Sequence, residues 1–206
     1  MENKAWQLGA PGSLIYEFFD LLRRNLNKKL VTYLLTSRAD CKCLTVLEAG
    51  SGPAYASSLF SSDPRVELAV AIDIDYEALF QARKRDPNLC LVVADLRNLP
   101  FKSGCIEISW NSSTLEHLDC PEDALCEMER VTKDGGSVFV GVPYLYGPLG
   151  FQRLIEDSST GNWIGKTYSC SQLKDMMKSA ELQPRHSINY FFRFFVGVLS
   201  DKKTLS

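Results

Sequence analysis

The stretch that decides the fold is Leu44–Ala54, which reads Leu-Thr-Val-Leu-Glu-Ala-Gly-Ser-Gly-Pro-Ala. Residues 44–47 are mostly apolar and are typical of a short buried strand. Glu48 and then a tight turn at Gly50–Gly52 follow, and two glycines at this spacing let the backbone approach a ligand closely. A helix over 54–60 is expected to point its free N–H groups at that ligand. The turn alone leaves a purely structural role open.

Other apolar runs along the chain also end in polar residues. These predicted strands are 68–75 with Asp73 and Asp75, 89–94 followed by Asp95, and 105–110 followed by Asn111. The first of these acids comes about 20 residues after the glycines, where a carboxylate can accept hydrogen bonds from a ribose diol. Because the carboxyl ends of parallel strands share one edge of a sheet, the sequence predicts a ligand crevice there.

The rest of the chain continues the alternation of strand and helix. Helices are predicted over 14–35, 76–84, 121–131 and 171–180, a turn at 134–136, and strands over 137–142, 184–192 and 194–199. This order is typical of a parallel sheet built from right-handed βαβ units. We therefore predict an α/β fold in a single domain, 1–206, with a helical cap over 1–37.

Composition limits the classes of function. The chain has 206 residues, a net charge of −2 and 23% charged residues without long runs, which disfavours nucleic acid as the main partner. No apolar stretch reaches membrane-spanning length and the first residues do not form a secretory signal, so we expect a cytoplasmic protein. The seven cysteines lack paired metal-binding spacing, and we predict reduced thiols and no metal site.

Several blocks of sequence in order resemble the motifs of class I S-adenosylmethionine-dependent methyltransferases, and most closely the type 11 branch. They are Leu-Glu-Ala-Gly-Ser-Gly at 47–52, Ala-Ile-Asp-Ile-Asp at 71–75, Ala-Asp-Leu-Arg-Asn-Leu-Pro-Phe at 94–101, Ser-Thr-Leu-Glu-His-Leu at 113–118, and 127–143. The resemblance is dense over 44–143. It implies a Rossmann-like, doubly wound seven-stranded sheet, mostly parallel, whose last strand is antiparallel.

The resemblance also implies which residues hold S-adenosylmethionine. Asp73 is expected to bind the ribose, with Asp75 as a second candidate, and Ile74 to lie against the adenine. Asp95 and the Leu96 backbone would contact the edge of the adenine. The methionine portion would be held by Glu48, Gly50, Ser51 and Gly52, with Asn111 beside the methyl donor. Ala54 stands where the family often has a third glycine.

The acceptor side is less defined by the sequence. Segment 143–167 interrupts the periodicity with glycine, proline and aromatic residues, and we predict that it faces the substrate. Candidate lid and acceptor-pocket residues are Trp6, Tyr16, Tyr144, Tyr146, Trp110 and Tyr168. His117 matches a family position near the active site and is the candidate base, although methyl transfer does not always require one.

The prediction is thus a methyltransferase that uses S-adenosylmethionine to methylate a small molecule by in-line transfer. Residues 111–114 read Asn-Ser-Ser-Thr, which disfavours the nucleobase N-methylating members of the family. Two alternatives stay open: a non-catalytic protein of the same fold that binds a partner, and an NAD-type dinucleotide-binding protein. The acceptor atom and the oligomeric state do not follow from the sequence.

Overall fold

The computed structural model describes residues 14–148, 150, 165–190 and 193–204. Its strands are β1 Leu44–Ala49, β2 Val66–Asp73, β3 Cys90–Val93, β4 Ile106–Ser112, β5 Thr132–Pro143, β6 Leu182–Tyr190 and β7 Phe195–Lys202. Its helices are α1 Leu14–Ser37, α2 Tyr55–Ser61, α3 Tyr76–Arg85, α4 Pro121–Val131 and α5 Cys170–Ser179, with a 3₁₀ turn at Leu115–His117. None of these helices is both long and apolar enough to cross a bilayer.

The strands form one seven-stranded sheet in the order β3-β2-β1-β4-β5-β7-β6. Strands β1 to β5 pair in parallel, and β7 pairs antiparallel with both β5 and β6. The predicted fold class, with its antiparallel last strand, is therefore confirmed. The strand order reverses between β1 and β4, and in open α/β sheets a crevice forms at the carboxyl ends of the strands at such a point.

Helices cover both faces of the sheet. On one face Val46 and Ile108 pack against α1 and α2, and on the other face Leu47 packs towards α4 and α5. A small third cluster joins Ala54 to Ala71, Ala82 and Leu89 under α3. Because β1 is buried on both sides, its carboxyl end is a rigid base for the turn that follows.

Trp110 belongs to this core rather than to an acceptor pocket, so that interpretation of the sequence is wrong. Its side chain is 1% exposed. The indole stacks on Phe139 with ring centroids 4.7 Å apart and meets Phe60 edge-on at 5.9 Å. An aromatic residue on a central strand packs between sheet and helices because it buries more apolar area there.

The fifth strand differs from its prediction. Instead of beginning after a turn at 134–136, β5 begins at Thr132 and contains the turn residues as an irregular bulge. Ile106 pairs with Thr132 but Ile108 pairs with Ser137, so four residues of β5 loop out between these pairs. Gly135 has a φ of +70°, and the Arg38 guanidinium bonds to its carbonyl and to Ser137 Oγ. The arginine therefore holds the bulge from α1's carboxyl end.

Candidate functional site

The glycine turn after β1 is fixed against the end of β2. The N–H groups of Gly50 and Ser51 both donate to the carbonyl of Ile72 at 2.8 Å. The N–H of Gly52 donates to Asp73 Oδ2 at 2.6 Å. Gly50 and Gly52 have φ values of +71° and +48°, which favour glycine. The turn is thus a preformed structure whose backbone donors point into β2.

Thr114, which the sequence interpretation did not single out, packs directly on this turn. Its Oγ1 donates to the carbonyl of Gly50 at 3.0 Å. A Cβ at Gly50 would lie 2.5 Å from both Cγ2 and Oγ1 of the threonine, closer than real Cβ contacts allow. The absence of a side chain at Gly50 therefore lets the loop after β4 dock onto the loop after β1. The one signal in the sequence is that Thr114 lies just beyond a strand end.

The two acids at the end of β2 have different roles. Asp73 accepts hydrogen bonds from Gly52 N–H on one oxygen and from Asp75 N–H, at 2.9 Å, on the other. A carboxylate has about four lone-pair sites, so Asp73 retains acceptor capacity for a ligand. Asp75 caps α3, with Oδ1 accepting from Glu77 N–H and Ala78 N–H at 2.9 and 3.2 Å. Because capping α3 explains the carboxylate of Asp75, Asp73 is the better candidate for the ribose-binding residue.

Glu48 corrects the expected role of α2. The side chain is 5% exposed and accepts from Ala56 N–H at 3.3 Å and from Ser57 N–H at 2.6 Å. These first-turn donors therefore face Glu48, where the sequence had predicted that they would face a ligand. Burial raises the pKa of Glu48 to about 7, although the Ser57 and Ala56 contacts and the Arg85 charge oppose the shift.

We expect the stability of the fold to report the titration of Glu48. Its folded-state pKa lies above the unfolded value, so its contribution is full below about pH 4.5 and is lost as the pH rises through about 7. The free energy of unfolding of Glu48→Gln, relative to wild type, should rise by about 2 kcal/mol between pH 5 and pH 8. Urea titrations at several pH values measure this, with the exposed Glu67→Gln as control. A difference that does not change with pH would contradict the account.

Ile74 and the loop after β3 lie beside Asp73. Ile74 is 67% exposed and stands in the sequence between the two acids Asp73 and Asp75. The N–H of Ala94 donates to the Asp73 carbonyl at 3.1 Å, which brings Asp95 to this edge. Asp95 forms an ion pair with Arg97 at 2.6 Å, and the arginine lowers the pKa of the carboxyl. Leu96 is 5% exposed and packs into the core, so only its backbone can serve a ligand.

Buried polar atoms without protein partners collect where β1 and β4 end. Asn111 is fully buried and its Nδ2 donates to the Ala49 carbonyl at 2.7 Å. Within the described residues, Asn111 Oδ1 and the hydroxyl of Ser51, which is 6% exposed, have no hydrogen-bond partner. Orphaned buried acceptors and donors are costly and call for a partner. Their position beside the glycine turn favours a polar ligand at this edge.

The structure describes some of the predicted acceptor-side residues and not others. Trp6 lies outside the described residues, and so does the side chain of Tyr16. Tyr144 and Tyr146 meet edge-on with centroids 5.7 Å apart, and Tyr146 is 74% exposed. Tyr144 bridges to the buried Tyr168, so these two residues tie the two ends of segment 143–167 together.

His117 closes the 3₁₀ turn after β4. Its side chain is 31% exposed, and its Nε2 lies 3.9 Å from Glu116 Oε1. Partial burial lowers the pKa of the imidazole below its usual value, so the ring is neutral at pH 7. A neutral imidazole can accept a proton, and the role of His117 as the base stays a prediction. Across the described ranges, no three His, Cys, Asp or Glu side chains are grouped to hold a metal ion.

Comparison with known proteins points to one family for the region that contains this site. The sequence profile of a methyltransferase domain family, type 11, matches residues 47–140. A curated relative is the malonyl-[acyl-carrier protein] O-methyltransferase of Hamiltonella defensa, 27% identical over 114 residues, or 55% of this chain and 43% of the relative. The match therefore spans less than half of that relative's length.

Solved structures agree on the fold. An S-adenosylmethionine-dependent methyltransferase from Thermotoga maritima, described as a possible histamine N-methyltransferase, gives a TM-score of 0.71 at 22% identity and covers 91% of this chain and 94% of its own. The magnesium protoporphyrin IX methyltransferase of Synechocystis, solved with bound S-adenosylhomocysteine, gives 0.77 at 12% identity and covers 97% and 93%. Identities this low establish the architecture and nothing about the acceptor.

Proposed function

We propose that this protein transfers the methyl group of S-adenosylmethionine to a small-molecule acceptor by in-line displacement, because residues 47–140 match the type 11 methyltransferase domain family. One observation carries the proposal. The preformed glycine turn, the spare acceptor capacity of Asp73 and the orphaned polar atoms of Ser51 and Asn111 meet at the carboxyl edge of β1, β2 and β4. A ligand with a diol, an amino-acid tail and an apolar ring system matches this set.

Each part of the cofactor has a group suited to it. Asp73 would accept hydrogen bonds from the ribose hydroxyls, and the exposed Ile74 would cover one face of the adenine. Asp95 and the Leu96 backbone would lie at the edge of the adenine. The methionine portion and the methyl donor would be held by the remaining set: Gly50, Ser51, Gly52 and Asn111, with Glu48 contributing through its hydrogen bonds to the first turn of α2.

For methyl transfer the protein mainly needs to align the acceptor atom, the methyl carbon and the sulfur. S-adenosylmethionine supplies a methyl carbon already activated by its sulfonium. The residues of this chain need to hold the acceptor in line and keep water out. The fixed turn at Gly50–Gly52 and the loop at Thr114 provide a rigid wall for that purpose, and segment 143–167, tied at Tyr144 and Tyr168, would cover the acceptor.

Similarity to other proteins supports a small acceptor without naming it. The name of the Hamiltonella relative describes O-methylation of a malonyl group on an acyl-carrier protein. We carry over only the broad class of a small chemical group as acceptor, because this relative is 27% identical to the chain over 114 residues.

Calorimetric titration with S-adenosylmethionine, S-adenosylhomocysteine and NAD tests the proposal. We expect the two adenosyl compounds to bind and NAD not to bind. Binding of NAD instead would favour a dinucleotide-binding protein, and silence towards all three would favour a partner-binding protein of this fold. Either result would overturn the proposed function.

A further inference from the structure

A second buried acid, Glu116, lies near the candidate site. Glu116 lies in the 3₁₀ turn just after β4, and its side chain is 2% exposed. No described residue hydrogen-bonds to its Oε2 atom. Burying a carboxyl group costs free energy unless the group is hydrogen-bonded or paired with a charge. An unpartnered buried carboxyl oxygen in a folded protein therefore suggests that a ligand binds there.

The chain returning from segment 143–167 covers Glu116. A Cβ at Gly165 would lie 2.8 Å from Glu116 Cγ, and Gly165 has a φ of +85°. The N–H of Lys166 donates to the Glu116 carbonyl at 3.0 Å. The ammonium of Lys166 turns to the carbonyls of Leu118 and Asp119, each at 3.1 Å. The nearby lysine therefore covers the acid with its backbone and directs its charge elsewhere.

The titratable groups around Glu116 do not neutralise it. His117 Nε2 is 3.9 Å from its Oε1, beyond hydrogen-bonding distance. The Tyr190 hydroxyl bonds to Ser112 Oγ at 3.2 Å, and the pKa of that tyrosine is raised mainly by burial, to which the charge of Glu116 adds. Burial raises the pKa of Glu116 to about 8, against a smaller opposing effect of its own backbone N–H. Near neutral pH the group can thus change its charge when a ligand arrives.

The position of Glu116 relates it to the methyl donor's end of the site. Thr114, two residues earlier, touches the glycine turn at Gly50. Asn111, at the end of the same strand, has its own unpartnered oxygen beside that turn. We propose that Glu116 is the acceptor-side carboxyl of this site, and that its Oε2 receives a proton-bearing nitrogen or oxygen of the methyl acceptor. This inference rests on the proposed function.

The role has a definite chemistry. A lone pair of the acceptor's nitrogen or oxygen forms the bond to the methyl carbon as the carbon–sulfur bond breaks, and the two electrons of the carbon–sulfur bond stay on the sulfur of the departing thioether. The proton released by the acceptor goes to the ionised Glu116 carboxylate, which becomes neutral. The acceptor class is therefore an alcohol, phenol or amine, because each carries such a proton. A thioether acceptor, which has no proton to release, would make no use of this carboxyl.

Sinefungin tests this without knowledge of the acceptor. In this analogue a carbon bearing a protonated amine replaces the methylated sulfur, so a cationic donor stands where the methyl group would be. S-adenosylhomocysteine lacks that amine and serves as the matched ligand. Calorimetry would measure both affinities, in two buffers of different ionisation enthalpy at pH 6.5, for wild type, Glu116→Gln and the exposed Glu122→Gln control.

We expect Glu116→Gln to weaken sinefungin binding roughly 10- to 100-fold, as for loss of a hydrogen bond to a charged group. The affinity of Glu116→Gln for S-adenosylhomocysteine should stay within about twofold of the wild-type value. Such an affinity also shows that the variant is correctly folded. Wild type and Glu122→Gln should release a proton on binding sinefungin, because the amine's charge drives Glu116 to ionise. Glu116→Gln should release none.

Two results would overturn the inference. The ratio of the two affinities would be the same in Glu116→Gln and wild type, whether or not both affinities fall, or proton release would persist without Glu116. These outcomes differ from failure of the proposed function, in which wild type binds neither adenosyl compound.

Discussion

Gly50→Ala should destroy the turn on which the site depends. A methyl group at this position would stand 2.5 Å from two atoms of Thr114, and φ of +71° is unfavourable for alanine. The left-handed backbone costs about 1–2 kcal/mol and the overpacking about 1–3 kcal/mol, so we expect a loss of about 3 kcal/mol in the free energy of unfolding. Affinity for S-adenosylhomocysteine should fall by roughly two orders of magnitude or more, since the shifted turn no longer fits. Urea unfolding and calorimetry measure the two effects.

Gly52→Ala is the matched control. Gly52 has a φ of +48°, but nothing lies within 4 Å of the position its Cβ would take. This variant should therefore lose only about 1 kcal/mol. Adding Thr114→Ala to Gly50→Ala removes two of the three clashing atoms and should recover part of the loss, with the backbone strain remaining. Equal losses for the two glycine variants would contradict the proposed close packing of the two loops.

Asp73→Ala should weaken binding of S-adenosylmethionine by 10-fold or more. A hydrogen bond to a charged group is worth about 1.5–3 kcal/mol, and the variant also removes the acceptor of Gly52 N–H. Calorimetric titration gives the affinity, and circular dichroism shows whether the variant is folded.

Asp75→Ser distinguishes the roles of the two acids at the end of β2. Serine can still cap α3, so the helix is preserved while the second carboxylate is lost. If Asp73 binds the ribose, Asp75→Ser should bind S-adenosylmethionine as wild type does. Normal affinity in a folded Asp73→Ala protein, or a larger loss in Asp75→Ser, would refute the assignment.

The departure from a three-glycine turn has a packing explanation. Ala54 is fully buried with a φ of +54°, and its methyl group packs with Ala71 and Ala82. In dinucleotide-binding folds a third glycine permits close approach of helix and strand. Here small side chains on β2 and α3 leave room for alanine at that place. The backbone strain of a non-glycine residue with positive φ is compensated by this burial.

Strand ends were predictable because polar residues interrupt apolar runs. Asp73 and Asn111 follow buried strands in the sequence, and parallel topology then brings those ends to one edge. Local patterns predicted the strands, and the family resemblance implied their arrangement in one seven-stranded sheet with an antiparallel last strand. They could not show that the strand after α4 starts at Thr132, because the bulge in β5 depends on Arg38 from a distant helix.

The hydrogen-bond and packing partners of individual side chains could not be predicted from the sequence for a similar reason. Glu48 turns to the first N–H groups of α2, and Thr114 occupies the space left by Gly50, through contacts that only the packed sheet creates. The unpartnered oxygen of Glu116 likewise depends on Gly165 covering it from across the fold. The periodicity of the sequence predicts on which face of a helix or strand a side chain lies. Tertiary packing determines which other residues that side chain contacts.

Hydrogen–deuterium exchange with and without S-adenosylhomocysteine tests the central claim most directly, because it locates the ligand on the chain. We expect slower exchange over 48–54, 73–75, 94–97 and 111–116, the loops at the carboxyl edge of β1 to β4. Exchange at the opposite edge of the sheet, in the β5 bulge at 133–136 and in residues 200–202 at the end of β7, should stay unchanged. Slower exchange confined to these residues, or no change at the four loops under saturating ligand, would contradict the site.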